Sequence, residues 1–312
     1  MNISVILCSF NRCECLAKAL ASVACLNLPE HVGWEVLVVD NNSTDGTREV
    51  VQDYCRRYPS HFRYLLEHHP GKSHALNAGI REARGEVIAF IDDDVIVEPA
   101  WLHNLTSSLQ SGHWAGAGGR ILPQGSFAAP PWIPLQDRYA LAPLAVFNPG
   151  LTAGSLGEPP FGANMAYKRR VFEQYGGFRT DLGPGAGAGR PQKSEDSEFG
   201  HRLLEAGEQL RYEPSATVYH AIPEFRLKMR YFLGWWFDKA RADVRAFGVP
   251  SGTRWRVAGV PSYLVLKLAR STVQWLFTAE PRRRFGAKIR VWVGMGEILE
   301  CHRMAVEARR RP

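Results

Sequence analysis

The sequence lacks any apolar run long enough to cross a membrane. A spanning helix needs about eighteen or more consecutive apolar residues, and the longest mostly apolar stretch, at 257–266, is interrupted by Pro261 and closed by Lys267. The first residues also lack a basic segment, and the apolar residues at 3–10 continue directly into a polar pair. We therefore expect a first β-strand there rather than a signal peptide, and any membrane attachment would be peripheral.

Paired cysteines are missing as well. The six cysteines show no C-x-x-C spacing, and five of them fall within the first 55 residues, among predicted strands and helices. This distribution is not typical of a disulfide-stabilised secreted domain. Free thiols in a reducing cytosol are the simplest explanation, so we expect a cytoplasmic protein.

Acidic residues are scarce near the C-terminus. Residues 221–312 contain 19 Lys and Arg but only 7 Asp and Glu. Residues 1–220 contain 19 Lys and Arg and 24 Asp and Glu. The net charge of +7 therefore comes entirely from the last part of the chain, which predicts a main domain of about 220 residues and a basic appendage. Tryptophans interspersed with arginines suit an anionic membrane surface better than a nucleic-acid groove, so we expect no nucleic-acid partner. These tryptophans are Trp235, Trp236, Trp255, Trp275 and Trp292.

The appendage begins with a predicted amphipathic helix. Apolar residues recur at a spacing of three to four from Met229 to Phe237, and basic residues occupy much of the remaining surface. Two interpretations stay open. The helix contacts a membrane, or its apolar stripe packs against the main domain.

Strands and helices alternate over the first 110 residues. The pattern predicts strands at 3–8, 35–39, 62–66 and 87–91, with helices at 13–24, 44–58 and 73–83 between them. Further strands are expected at 118–122, 164–168 and 210–220, with a helix at 195–206 before the last one. This order predicts an α/β fold with a mostly parallel sheet, in which right-handed crossovers place the carboxyl ends of the strands along one edge.

Three carboxylates follow the fourth predicted strand at once. Asp92, Asp93 and Asp94 come directly after the buried segment at 87–91, and adjacent carboxylates repel one another unless a cation or a polyhydroxyl ligand compensates them. Hard oxygen ligands of this kind suit Mg²⁺ or Mn²⁺. The alternative is a solvated acidic turn.

Polar residues also follow the first two strands, at 9–12 and 40–47, so three clusters should converge on one crevice. Ser43 or Thr44 could cap the second helix, whereas Asp40 lies before the capping position.

A glycine-rich stretch at 182–190 precedes the acidic pair of Glu195 and Asp196 and could be a lid or an ordinary loop.

The ordered motifs resemble the family 2 glycosyltransferases, the large inverting group with a GT-A fold. The matching segments are SVILCSFNR at 4–12, VVDNNSTDGT at 38–47, GKSHALNAG at 71–79, the acidic triplet, GANM at 162–165, ED at 195–196 and YH at 219–220. The resemblance spans roughly residues 1–220 and rests on the order and spacing of the motifs. It implies a GT-A domain at 1–223, with a nucleotide-binding half at 1–110 and an acceptor-binding half at 111–223, followed by a basic, Trp-rich helical region at 224–312.

The resemblance also implies roles for single residues. Asp40 and the segment from Ser9 to Asn11 would hold the base and ribose, with Lys72 and Asn77 nearby. The triplet would be the D-x-D signature, in which Asp92 and Asp93 lie against the nucleotide sugar and Asp94 binds a divalent ion, Mn²⁺ or Mg²⁺. Asp92 could also contact the metal, and His220 would complete the metal site. A lone histidine is otherwise more often a satisfied surface or core residue.

Inversion at the sugar carbon requires a base that takes the proton of the acceptor hydroxyl. Asp196 is the candidate, because the family motif places the base at the second residue of its E-D pair. The alternative is that Glu195, Asp196 and Glu198 only complement the dipole at the start of a helix.

These features predict a metal-dependent inverting glycosyltransferase. It would move a sugar from a nucleoside-diphosphate sugar to a hydroxyl of a glycan or a lipid-linked acceptor, in bacterial surface polysaccharide or glycolipid synthesis. We expect it in the cytoplasm, peripherally on the inner face of the plasma membrane, where residues 224–312 contact anionic lipid.

Two rival functions are weighed against this one. A sugar-nucleotide-forming nucleotidyltransferase typically has a glycine-rich basic loop after its first strand, which residues 9–12 do not offer. A non-catalytic glycan-binding or membrane scaffold would be expected to have lost its acidic motifs, yet Asp92, Asp94 and Asp196 are all present.

Overall fold

The computed structural model describes residues 2–110, 112–126, 128–133, 141–187, 192–249 and 255–310. It divides into two compact units. The first contains Met1–Ser126, Ala145–Ala188 and Glu195–Ala221, and the second contains Phe127–Leu144, Gly189–Ser194 and Ile222–Pro312.

The first unit is built on one central sheet. Its strands are β1 (Asn2–Ser9), β2 (Gly33–Asp40), β3 (Phe62–Leu66), β4 (Val87–Asp92), β5 (Val95–Val97), β6 (Trp114–Pro123), β7 (Gly154–Leu156), β8 (Met165–Lys168) and β9 (Gln209–His220). They pair in the order β3-β2-β1-β4-β8-β6-β9-β5, and β7 also pairs with β9. The ladders among β3, β2, β1 and β4, and between β6 and β9, are parallel, and β8 pairs antiparallel on both sides.

Helices flank this sheet, which confirms the predicted α/β class. They are α1 (Cys13–Val23), α2 (Thr47–Arg57), α3 (Lys72–Glu82), α4 (Trp101–Gln110), α5 (Arg169–Tyr175) and α6 (Glu195–Glu205). The strands β1, β2 and β4 read as continuous apolar runs because both faces of the sheet are covered, and Val5, Val38 and Ile88 are fully buried.

One local prediction was wrong. Helix α2 begins at Thr47, three residues later than expected, and neither Ser43 nor Thr44 caps it. Both residues instead contact Asn11 in the preceding loop. The Ser43 hydroxyl accepts a bond of 3.0 Å from the Asn11 backbone N–H, and the Thr44 N–H donates to Asn11 Oδ1 at 2.7 Å. The side chains thus tie two loops together across the edge of the sheet.

The second unit is helical. Its helices are α7 (Met229–Phe247), α8 (Ser262–Phe277) and α9 (Pro281–Arg310), and a short hairpin precedes α8, formed by β10 (Arg256–Val257) and β11 (Val260–Pro261). Each helix in the described ranges is too short or too polar to cross a bilayer.

The apolar stripe of α7 packs inside the second unit. Phe232 is 1% exposed and meets the ring of Trp132 edge-on at 5.0 Å between centroids. Basic residues of the same helix are buried as well, because Arg241 and Arg245 both donate to the carboxylate of Glu300 on α9, which has no exposed surface. These two arginines are therefore paired inside the second unit and do not belong to a solvated basic face.

All six cysteines carry free thiols, as the sequence predicts.

Candidate functional site

The predicted crevice forms at the carboxyl ends of β1, β2 and β4. The parallel register places Ser9 beside Asp40 and Cys8 beside Asp92. The three polar clusters that follow these strands therefore lie together at one edge of the sheet, as the alternation of strands and helices predicts.

Each carboxylate of the acidic triplet has a side-chain partner, and Asp93 and Asp94 share Arg12. Asp92 accepts a bond of 2.6 Å from the Lys72 ammonium. Asp93 accepts one from the Ser9 hydroxyl at 2.7 Å and one from the Arg12 guanidinium at 2.8 Å. Asp94 accepts a second bond from Arg12 at 2.7 Å. The triplet is therefore not a solvated acidic turn, since Asp93 and Asp94 are only 5% and 8% exposed.

The two buried carboxylates differ in acidity. Burial raises the pKa of Asp93 to about 6, and the lowering by Arg12 and Ser9 does not cancel this effect. Burial also acts to raise the pKa of Asp94, but His220 and Arg12 together hold it well below its usual value. Asp94 is therefore the more strongly anionic of the two at neutral pH.

Asp94 faces His220, the last residue of β9. The Nε2 atom of His220 lies 3.4 Å from Asp94 Oδ1, and the histidine is 2% exposed. A carboxylate oxygen and an imidazole nitrogen side by side form a donor pair that suits Mn²⁺. Within the described ranges, His, Cys, Asp and Glu side chains form no group of three that could hold an ion.

Lys72, at the first position of α3, joins the triplet to the acidic pair on α6. Its ammonium lies 2.6 Å from Asp92 and 3.6 Å from the Glu195 carboxylate. Burial acts to lower the pKa of Lys72, but Asp92 and Glu195 raise it well above its usual value. Burial and the neighbouring Asp196 raise the pKa of Glu195 to about 7, although Lys72 opposes this.

Asp196 lies in the first turn of α6 and is partly exposed. Its Oδ2 accepts a bond of 2.8 Å from the Gly162 backbone N–H, and its Oδ1 accepts one of 2.7 Å from the Ser197 N–H. A Cβ at position 162 would lie 3.1 Å from Asp196 Oδ2, so the glycine of the GANM motif allows this close approach. The carboxylate is thus held in one orientation with part of its surface in reach of solvent.

Three other predicted site residues have structural partners. Asp40 accepts from the Ser43 N–H at 2.8 Å and from the Tyr64 hydroxyl at 2.9 Å. Asn11 ties its loop to Thr44, as described above. Asn77 holds the backbone of Phe178 from both sides, donating to its carbonyl and accepting from its N–H, each at 2.8 Å.

The glycine-rich stretch lies against the start of α3 where the structure describes it. The Lys72 N–H donates to the Pro184 carbonyl at 2.7 Å, and a Cβ on Gly185 would lie 2.8 Å from the Gly71 Cα. This close contact between two backbones requires glycine. The prediction of a lid also covers residues 188–190, which lie outside the described residues.

Sequence reasoning missed Arg12 as a site residue. Its guanidinium bridges Asp93 and Asp94, which lie 81 and 82 positions further along the chain. A signal was available, because Arg12 follows the end of β1 directly and that end was predicted to face the triplet. Glu195 was also assigned no role, although its motif was recognised.

Comparison with known proteins identifies the family of this chain. Residues 4–176 match the family model described as Glycosyl transferase family 2. The chain is 26% identical over 234 residues to the succinoglycan biosynthesis protein ExoM of Rhizobium meliloti. The aligned region covers 74% of this chain and 70% of ExoM. It is also 26% identical over 244 residues to a glucosyl-dolichyl phosphate glucuronosyltransferase of Haloferax volcanii. That alignment covers 75% of this chain and 73% of the Haloferax protein.

Solved structures give the same fold. The mannosyltransferase PcManGT from Pyrobaculum calidifontis, in complex with GDP-Man and Mn²⁺, superposes with a TM-score of 0.56 at 20% identity, covering 98% of this chain and 74% of that one. S. aureus TarS 1–349 in complex with UDP-GlcNAc gives 0.53 at 15% identity, covering 97% and 92%. These likenesses concern the fold and confirm the predicted GT-A architecture. Because the family model covers more than half of the sequence, the chain belongs to glycosyl transferase family 2.

Proposed function

We propose that this protein is a metal-dependent inverting glycosyltransferase that uses a nucleoside-diphosphate sugar as donor. The observation that carries the proposal is the position of Asp94 and His220. They lie 3.4 Å apart at the edge of the sheet where β1, β2 and β4 end, which is where α/β proteins bind nucleotides.

Asp94 and His220 would fit a resident Mn²⁺ ion better than Mg²⁺, because the carboxylate oxygen suits both ions whereas Mg²⁺ prefers oxygen ligands to an imidazole nitrogen. Such an ion, when bound, neutralises the negative charge that develops on the leaving diphosphate. Two protein donors leave room for diphosphate oxygens as further ligands. We assign Asp92 to the donor side as well, where its bond to Lys72 sets its orientation.

The protein's own cations act on the same region. Arg12 bridges Asp93 and Asp94 and so limits the repulsion between them. Lys72 is held between Asp92 and Glu195, where its ammonium can also stabilise an anionic donor. Ser9, Asn11, Asp40 and Asn77 shape the loops around the base and ribose in this proposal.

Asp196 is proposed as the catalytic base. A base must be ionised, fixed in orientation and accessible to the acceptor hydroxyl. The two backbone N–H groups on its oxygens fix the direction of the carboxylate. It would remove the proton of the acceptor hydroxyl as that oxygen attacks the sugar carbon from the side opposite the diphosphate. Glu195 is less suited, because it is only 5% exposed and faces Lys72.

We place the acceptor among glycans or lipid-linked sugars. ExoM is named for succinoglycan biosynthesis, and the Haloferax relative is named for a dolichyl phosphate substrate. Synthesis of bacterial surface polysaccharide or glycolipid is consistent with these names, and we propose the inner face of the plasma membrane as its location. Peripheral contact of residues 224–312 with anionic lipid is part of the proposal, supported by their excess of basic residues.

Thermal unfolding in the presence of nucleoside diphosphates tests the donor site. A ligand that binds only the folded state raises the free energy of unfolding, by about 2.7 kcal/mol at a hundred times Kd, and so raises the melting temperature. We expect at least one of UDP, GDP, ADP, CDP and dTDP to raise the melting temperature, and to do so more with Mn²⁺ than with EDTA. If none of these nucleotides changes the melting temperature, the proposed donor class is wrong.

A further inference from the structure

Helix α8 presents an apolar stripe to solvent. Five of its large apolar side chains are between 53% and 84% exposed, namely Val265, Leu266, Val273, Leu276 and Phe277. At 100° per residue, these positions fall within roughly 120° of the helix circumference. Leu264 and Ser271, which are 1% and 7% exposed, lie on the opposite side and pack inward. The stripe is therefore a continuous surface rather than a set of scattered residues.

Positive charge surrounds this stripe. Residues 255–300 contain eight Lys and Arg and three acidic residues, of which Glu297 pairs with Lys267 on α8 and Glu300 is buried against Arg241 and Arg245. Arg270 is exposed at the edge of the stripe, and the exposed run at 282–284 begins α9. Arg290 donates to Gln274 Oε1 at 3.1 Å, so this cation is held beside the C-terminal half of α8.

Trp275 lies on the side of α8 that faces away from the stripe, because its position is about 20° from that of buried Leu264 around the helix. The rings of Trp275 on α8 and Trp292 on α9 meet edge-on at 6.2 Å, and the Lys288 ammonium lies 5.4 Å from both centroids. This cluster therefore joins α8 to α9 behind the stripe and leaves the stripe itself uncovered.

The charge of the surface indicates what covers it. A second copy of the chain would bring the same excess of positive charge against this one, and like charges across an interface are unfavourable. An anionic bilayer offers both an apolar layer for the stripe and negative head groups for the arginines.

We propose that α8 lies in the surface of an anionic membrane, with its apolar stripe in the acyl boundary and Arg270, Arg282, Arg283, Arg284 and Arg290 at the head groups. This inference rests on the peripheral contact proposed above, and it does not depend on the transfer chemistry. It places the contact on α8 rather than on the amphipathic helix that begins at Met229, for which the sequence left membrane contact and internal packing both open. That helix buries Phe232 and Leu233 within the second unit.

Flotation of the full chain with vesicles tests the apolar stripe. We expect the wild type to float with vesicles of phosphatidylcholine and phosphatidylglycerol but not with phosphatidylcholine alone. The triple variant Leu266→Ser, Leu276→Ser, Phe277→Ser should reduce partitioning by at least about tenfold, since each residue loses apolar area that the bilayer buries. Leu151→Ser is the matched control, because Leu151 is 76% exposed in the first unit and should leave partitioning unchanged.

A second variant tests the charge. Replacing Arg282, Arg283 and Arg284 by Gln should lower partitioning on the order of a hundredfold at low salt. The control is Arg56→Gln with Arg57→Gln, on the exposed face of α2. Circular dichroism melting verifies that each variant is folded.

Three outcomes would overturn the inference. If the wild type does not float with anionic vesicles, the peripheral contact itself is wrong, although the donor site is unaffected. If the wild type floats and both triple variants float equally well, a different surface makes the contact. If sedimentation shows a wild-type dimer that the serine variant dissociates, the stripe binds a second copy.

Discussion

Replacing Asp196 by Asn should reduce sugar transfer by about a hundredfold to ten-thousandfold, the range that a general base contributes. The asparagine keeps one side-chain oxygen, which can still accept from the Gly162 or Ser197 N–H. The loop and the first turn of α6 should therefore stay in place. Binding of a nucleoside diphosphate should change little, because the proposed donor site lies around Asp94. The rate is followed as release of nucleoside diphosphate from the donor, and binding by calorimetry.

Glu195→Gln is the matched control for this prediction. Glu195 is the neighbouring carboxylate in the same helical turn, but it is 5% exposed and lies against Lys72. Its removal should cost less activity than the loss of Asp196, and it should alter donor affinity through Lys72. A larger loss of rate in Glu195→Gln than in Asp196→Asn would show that the base had been assigned to the wrong member of the pair.

Replacing Asp94 by Ala should remove most of the Mn²⁺-dependent affinity for a nucleoside diphosphate. Loss of a residue that only supports a metal ligand typically costs about tenfold to a hundredfold in affinity, and we expect loss of the ligand itself to cost at least that much. The change should appear in calorimetric titrations with Mn²⁺. Titrations with EDTA should give nearly the same weak affinity for the variant and the wild type.

Asp93→Asn provides the control within the same triplet. Asp93 contacts Ser9 and Arg12 rather than His220, and its pKa of about 6 makes it the weaker acid. Its amide should preserve the Mn²⁺ dependence. If Asp93→Asn abolishes that dependence and Asp94→Ala retains it, the metal is held by a different carboxylate from the one proposed. His220→Ala should resemble Asp94→Ala, because both residues would serve one ion.

The position of the crevice could be predicted from the sequence, and the side-chain pairs in it could not. The apolar strand at 87–91 and the carboxylates after it lie where expected, because a parallel sheet brings the carboxyl ends of its strands to one edge. The bridge from Arg12 to Asp93 and Asp94 depends on register and rotamers over 81 positions of sequence. Local patterns do not carry that information.

The C-terminal region illustrates a second limit. Periodicity predicted the amphipathic helix α7 correctly, but it could not indicate that Arg241 and Arg245 turn inward to Glu300, which is 59 and 55 positions away. An apolar stripe shows only that a helix has two faces. Which helix leaves its stripe exposed depends on tertiary packing, and the structure assigns that property to α8.

Release of the nucleotide product from a panel of sugar nucleotides tests the central claim most directly. Purified protein is incubated with UDP-, GDP-, ADP-, CDP- and dTDP-sugars, with Mn²⁺ or with EDTA, and with a mixture of glycans and lipid-linked sugars as acceptors, and the products are separated by chromatography. The account predicts that one donor yields its nucleoside diphosphate in the presence of Mn²⁺, and that Asp196→Asn yields little or none while still binding the nucleotide. Release of pyrophosphate or of a nucleoside monophosphate, or tight binding of a donor with no turnover by the wild type, would contradict it.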